Sequence, residues 1–184
     1  MQILAVDPHV RHMAWAIIDT NGETTGRPEK AVQEVGVLRA KRALTQQECQ
    51  DYWAAYALNP ALVGKEPFAR NSVHLVMETP DHLKNKSNKQ LCDLVALAMC
   101  AAAFCQGWSQ NRDTVRTYDQ VRPRDWKGRV TKEHTANEVR MLCGKKSEKW
   151  TDHQMDAVAL GMWWCRNHFN LRPLAKQEPH LFQP

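Results

Sequence analysis

The sequence predicts an α/β domain. Its core is a mixed central sheet of about five strands, the first three antiparallel, flanked by helices. Three observations predict it. Short apolar runs near the N-terminus are separated by turn residues. Later strand-like runs alternate with helical patterns that open on capping boxes. The chain has 184 residues, 43% apolar and 24% charged, with no low-complexity stretch, which suits one globular core.

Residues 3–6 (Ile-Leu-Ala-Val) and 13–18 (Met-Ala-Trp-Ala-Ile-Ile) read as buried strands. Turn residues follow from Asp19 to Gly22. A third strand at 32–38 completes an antiparallel meander. Thr45 caps a helix to Leu58, with Tyr52, Ala55, Tyr56 and Leu58 on one side. Residues 60–72 are irregular. Residues 73–77 form a strand that ends at Glu78. Ser87 and Gln90 make a capping box for a helix to about Gln106, with Leu91, Leu94, Val95, Ala98 and Ala102 on one stripe. Residues 114–118 suggest a fifth strand. Thr131 opens a helix that stops at Gly144, a position suited to a left-handed C-terminal residue. Thr151 and Gln154 make a second capping box, starting a last helix to about His168. Residues 1–170 form the domain, and 171–184, with Pro173, Pro179 and Pro184, an extended tail.

The six cysteines include no Cys-x-x-Cys pair and no histidine at zinc-finger spacing. They read as reduced thiols of a cytosol-like, cytoplasmic protein, with Cys92, Cys100 and Cys105 packing as small hydrophobes. No signal peptide is expected, and the longest apolar run, 94–105, is too short for a bilayer, so no membrane partner is expected. The net charge of +5 is compatible with a polyanionic partner and does not require one.

The candidate chemistry lies in acids at element termini. Asp7 ends the first strand and Glu78 the fourth. Asp152, His153 and Asp156 lie in the first turn of the last helix, where His153 and Asp156 share a face and Asp152 points elsewhere. If the first and fourth strands are neighbours, Asp7 and Glu78 emerge side by side, and the last helix need only cross that edge. Singly, each acid is better explained as a turn, solvated or first-turn residue. Together they suit hard divalent cations, which prefer oxygen ligands. Two ions about 3.5–4 Å apart can activate a water and stabilise the leaving oxygen of a phosphodiester. A histidine ligand favours manganese somewhat.

The segments "ILAVDPHVRHMAWAIID" (3–19), "VHLVMETPDHLKNKSNKQLCDLVALAMCAAAF" (73–104) and "TDHQMDAVALG" (151–161), and more weakly residues 115–142, carry a resemblance. Their order and acid placement resemble the ribonuclease-H-like nucleases, and within them the RuvC-type Holliday junction resolvases of phage type. The resemblance implies catalytic Asp7, Glu78 and Asp156, with His153 at a position that is Asp or His in such proteins. It leaves Asp152 without a counterpart, a less favoured ligand. It implies a homodimer that binds branched, four-way DNA and makes paired nicks with two Mg2+ (or Mn2+) ions per site and no small-molecule cofactor. Such nicks leave 5′-phosphate and 3′-hydroxyl ends. The chain departs from the pattern at His9, where the family usually has Gly, and in lacking an aromatic wedge after Glu78, where only His82 or Leu83 could serve.

Three basic clusters are candidate DNA contacts: Lys84, Lys86 and Lys89; Arg122, Arg124, Lys127, Arg129 and Lys132 with Trp126 for stacking; and Lys145, Lys146 and Lys149. About six phosphate contacts would give a log K against log salt slope of roughly −5. The competing functions are cleavage of flaps, forks or RNA–DNA hybrids, an ATPase or kinase on the same fold, and a non-catalytic nucleic-acid-binding module. Asp7-Pro8-His9-Val10 lacks the glycines of a phosphate loop, which argues against the ATPase.

Overall fold

The computed structural model describes residues 1–21, 28–40, 45–58, 73–80, 87–110, 117–128 and 130–169. A five-stranded mixed sheet runs through its centre: β1 (Gln2–Pro8), β2 (His12–Asp19), β3 (Val32–Arg39), β4 (Val73–Glu78) and β5 (Tyr118–Val121). Their order across the sheet is β3-β2-β1-β4-β5. β2 pairs antiparallel with both β1 and β3, while β4 is parallel to β1 and β5 to β4.

Alternation along the strands divides the core. Leu4, Val6, Trp15, Ile17, Leu75 and Met77 face helices α1 (Gln46–Leu58) and α2 (Asn88–Ser109). Ile3, Ala5, Ala16, Ile18, Val76 and Val121 face α3 (Lys132–Cys143) and α4 (Asp152–Phe169). Asp7 and Glu78 continue the second set by parity, so both turn toward α4. Gly161 lets α4 settle on the sheet: a Cβ there would lie 2.7 Å from Ile18 Cγ1 and 2.9 Å from the Ala5 Cβ.

The expected caps form. Ser87 and Gln90 make both bonds of the box at α2, Thr131 accepts from the His134 amide, and Thr151 and Gln154 bond reciprocally. Gly144 follows α3 with φ of +57°, the left-handed region that glycine enters without a Cβ penalty.

The structure corrects several expectations. β1 runs through Asp7 and Pro8, beyond the 3–6 expected, so Asp7 lies within the strand's pairing, opposite Ala14. β5 begins at Tyr118, later than the 114–118 expected. It is a short edge strand in which only Val121 is buried, so apolar patterning does not reveal it. The buried stripe of α2 is Ala96, Cys100, Ala101, Phe104, Cys105 and Trp108; Val95 is 48% and Met99 44% exposed. The helix is apolar around most of its circumference, so periodicity alone could not choose its inner face. In α1 the buried residues are Cys49, Gln50, Trp53, Tyr56 and Ala57 among the described side chains, and Ala55 is exposed. All six cysteines are free; Cys100 and Cys105 are buried but Cys92 is exposed.

Once folded, Gln90–Ser109 is long and apolar enough to cross a membrane by length and composition, beyond the 94–105 run. Its inner face is nevertheless packed on the sheet with α1. The tail at 171–184, the irregular 60–72 segment and residues 114–116 lie outside the described residues.

Candidate active site

Val6 pairs with Met77 at the last parallel register position of β1 and β4. Asp7 and Glu78, one residue further on, therefore leave adjacent strands together. α4 crosses above them and supplies His153 and Asp156, which lie on one helix face. The site is half-sealed: Asp7 is 8% and Asp156 5% exposed.

Four contacts tie the cluster. His153 Nδ1 lies 2.6 Å from Asp7 Oδ2. Lys127 Nζ lies 3.0 Å from Asp156 Oδ2 and 3.3 Å from Glu78 Oε2. The Trp126 indole N–H donates to Glu78 Oε2 at 2.8 Å. The Lys127 ammonium also stands 4.6 Å from the centre of the Trp126 ring. Trp126 and Lys127 reach the site because Pro123–Trp126 is a helical turn that follows β5 directly and folds under it.

The electrostatics show too much negative charge for the cations available. Burial raises the pKa of Glu78; Asp7 adds to the rise, and Lys127 and the Trp126 bond oppose it. Burial raises Asp156 as well, again with a contribution from Asp7. Asp7 thus adds to the rise of both other carboxylates. Burial disfavours the Lys127 charge, but Glu78 and Asp156 outweigh it and the pKa rises. The hydrogen bond to Asp7 raises His153.

His9 and His12 flank the β1–β2 hairpin tip on the same side. Their rings stack with centres 4.2 Å apart, and His153 meets His12 edge-on at 5.3 Å. Burial, then His9 and His153, press the His12 pKa down to about 4, so it is neutral at physiological pH.

The expected DNA contacts divide. Trp126 is 3% exposed, so its ring offers no face to a base; it underlies Glu78 instead. Lys127 is drawn inward to the acids rather than outward to phosphate. Arg122 is held by both oxygens of Asp125, at 2.8 and 3.0 Å. Lys132 lies 3.5 Å from Asp152, whose side chain is 61% exposed and apart from the carboxylate cluster. Arg124 is exposed. Lys145, Lys146 and Lys149 are exposed on a 3-10 segment, Gly144–Lys149, and pair with no other described residue. Lys84, Lys86, Arg129, His82 and Leu83, and the Lys89 side chain, lie outside the described residues. The sequence grouped Lys127 and Trp126 with the DNA contacts, whereas the structure joins both to acids of the cluster; a basic residue beside an aromatic reads the same whether it faces phosphate or a buried acid.

Three carboxylates and an imidazole are hard or borderline donors, a set that fits magnesium or manganese. Among the described residues, no three ligand-type side chains surround a common point. The ammonium of Lys127 spans Glu78 and Asp156, and His153 turns Nδ1 to Asp7, so the charges that a cation would neutralise are partly answered from within the chain.

Comparison with solved structures gives this sheet, with acids leaving β1 and β4 beneath a final helix, the fold of RuvC. The chain is similar to Thermus thermophilus RuvC in complex with Holliday junction substrate (15% identity, 93% of this chain, 98% of that one, TM-score 0.62). It is similar also to a second Thermus thermophilus RuvC structure (16% identity, 93% and 98%, TM-score 0.56). A third likeness is to the yeast mitochondrial Holliday junction resolvase Ydc2 (10% identity, 92% and 81%, TM-score 0.54). No family model and no curated protein matches the chain.

Proposed function

We propose that this protein is a metal-dependent, structure-selective DNA endonuclease that nicks four-way junctions. The observation that carries the reading is the carboxylate cluster: Asp7, Glu78 and Asp156 come from three elements, Asp7 and Asp156 are buried, Glu78 and Asp156 share the Lys127 ammonium, and Asp7 meets the His153 imidazole. Buried acids in such excess cost stability, which a fold retains where the site must hold a cation and a phosphodiester. The fold shared with junction resolvases points the same way.

Asp7, Glu78 and Asp156, with His153, would hold magnesium or manganese, which the oxygen-rich donor set favours over softer ions. When bound, the ions supply an activated water and stabilise the leaving 3′-oxygen. Lys127 holds the oxygens of Glu78 and Asp156 in place and adds positive charge where the phosphate develops negative charge. Trp126 fixes one Glu78 oxygen from below. Asp7 fixes the His153 ring, whose other nitrogen then faces away from that bond. Water is limited by the depth of the cluster.

A two-fold junction suits an isologous homodimer with two active sites. The exposed apolar residues of α2, Val95 and Met99, support such a pairing. Phosphate contacts fall to Lys145, Lys146 and Lys149 and to cations of the 84–89 segment, since Lys127, Arg122 and Lys132 are engaged with acids.

The test is cleavage of labelled four-way junctions, forks, flaps, duplex and RNA–DNA hybrid, with magnesium or manganese, by wild type and Asp7→Asn. Paired nicks on junctions, lost in Asp7→Asn, are the expected result. Equal cutting of all branched forms would replace junction resolution by general debranching. Undiminished cleavage by Asp7→Asn would remove the cluster from the chemistry.

A further inference from the structure

The three carboxylates of the cluster share one pattern: each has one oxygen answered from within the chain and one left over. Glu78 Oε2 takes both the Trp126 indole N–H, at 2.8 Å, and the Lys127 ammonium, at 3.3 Å. Asp156 Oδ2 takes Lys127 at 3.0 Å, and Asp7 Oδ2 takes His153 Nδ1 at 2.6 Å. Among the described residues no donor is bonded to Glu78 Oε1, Asp7 Oδ1 or Asp156 Oδ1.

Of these donors the indole is the fixed one. The Lys127 side chain is 21% exposed and that of His153 42%, so both have room to turn. Trp126 is buried in the core with Val121, Ala136 and Val139. The chain around it is pinned as well. Val121 pairs with Glu78 at the end of β5, and the Thr79 amide donates to the Val121 carbonyl at 2.9 Å. The Asp125 amide donates to the Arg122 carbonyl at 2.9 Å and the Lys127 amide to that of Pro123 at 2.7 Å, which closes the turn that carries the indole. An indole offers one N–H and no acceptor. A buried donor that loses its partner is costly, so the oxygen that Trp126 holds is withdrawn from other use.

We propose that Trp126 is a positioning residue that sets cation selectivity: by holding Oε2 it leaves Glu78 a single oxygen to give, and so tunes the site to a small ion over a large one. Magnesium demands near-ideal octahedral geometry at roughly 2.0–2.1 Å and keeps several waters, which carboxylates giving one oxygen each suit. Calcium takes about six to eight oxygens at roughly 2.3–2.6 Å and gains from a carboxylate that gives both. With Glu78 locked, that second contact would break the indole bond and strand a buried N–H. Asp7 and Asp156 are held by side chains that can turn away, so Glu78 is where the size of the ion is decided. This rests on the nuclease reading and names the residue that selects its ion.

The experiment measures binding of magnesium, manganese and calcium to the full chain by calorimetry, without DNA. It compares wild type with Trp126→Phe and with a protein carrying benzothienylalanine at position 126, whose ring keeps the size of indole with sulfur in place of the N–H. Wild type should bind magnesium more tightly than calcium. Both replacements should shift the ratio of dissociation constants toward calcium by about tenfold, the scale of one hydrogen bond to a charged group. In junction cleavage with magnesium, calcium should inhibit both at about tenfold lower concentration than wild type. Trp164→Phe, near the other end of α4, should lower Tm and leave the ratio within about twofold. An unchanged ratio in both replacements overturns the role of Trp126, as does a wild type that prefers calcium or an equal shift in Trp164→Phe. In each of those cases, loss of cation binding in Asp7→Asn still upholds the carboxylate site. Absence of cation binding in wild type, or binding undiminished in Asp7→Asn, overturns the nuclease reading beneath it.

Discussion

Two clusters of polar side chains lie on the same face of the sheet, at opposite ends of β4 and α4, and they are built to opposite rules. At one end, Asp7, Glu78 and Asp156 share Lys127 and one imidazole. At the other, a single carboxylate has more donors than it needs. Asp119 Oδ2 accepts from the Trp164 indole at 2.7 Å and from His74 Nε2 at 3.2 Å, with His168 Nε2 at 3.8 Å. Trp164 is stacked between the two histidine rings, 4.6 Å from one and 4.0 Å from the other, and Thr117 takes the remaining His74 nitrogen at 2.7 Å. The stack keeps the two imidazoles on opposite sides of the indole, so they cannot close on one ion. The distal cluster is a satisfied joint that pins β5 and β4 to α4. The proximal one is left short of positive charge. Unanswered charge, rather than the presence of acids, separates a site from a strut.

The largest expected contrast is in chemistry. Asp7→Asn or Asp156→Asn should lower junction cleavage on the order of 10³-fold with the fold intact by circular dichroism. Asp119→Ala should leave cleavage within about threefold. A large loss in Asp119→Ala would break the comparison.

Stability should run the other way. Asp119→Ala strands the buried Trp164 donor and loosens the edge strand, at a cost of about 2 kcal/mol, or roughly 4–8 °C in Tm. Glu78→Gln in chelator should instead raise Tm by a few degrees at pH 7, about 1 kcal/mol. The sign follows from linkage. Burial raises the Glu78 pKa in the folded state, so its contribution to stability is complete below the unfolded value and is lost as pH rises through the folded one. The advantage of Gln should therefore shrink as the pH falls through that raised pKa and wild type takes up its proton. Thermal melts from pH 4 to 8 read it directly.

Magnesium or manganese should raise the Tm of wild type through native-state binding, and much less that of Glu78→Gln. An equal rise in both would place the ion elsewhere. The smallest effect belongs to the surface cations. Replacing Lys145, Lys146 and Lys149 with Gln should reduce the magnitude of the salt slope of junction binding by about 2 to 3, without changing which strand is cut.

Much of this was legible in the chain. The apolar runs at 3–6, 13–18 and 73–77 and the capping signals at Ser87, Thr131 and Thr151 located most elements, because strand burial and cap chemistry are local. The placement of Asp7, Glu78 and Asp156 at element ends could be read for the same reason. The inner faces of α1 and α2 could not, since both carry apolar residues on several sides and the neighbouring helix chooses among them. β5 was expected at 114–118 and forms at Tyr118–Val121, because an edge strand with one buried residue has little pattern to fix its bounds.

The sequence by itself determined which residue types stand at the ends of which elements, and with the two-residue strand period it put Asp7 and Glu78 on the same face as Ala5 and Val76. Only the tertiary structure decided what those acids meet. The parallel pairing of β1 with β4, and the helical turn after β5 that carries Trp126 and Lys127 beneath Glu78 and Asp156, join residues far apart in the chain. Electrostatic neutralisation depends on distances of a few ångströms between such residues, and no local pattern encodes them.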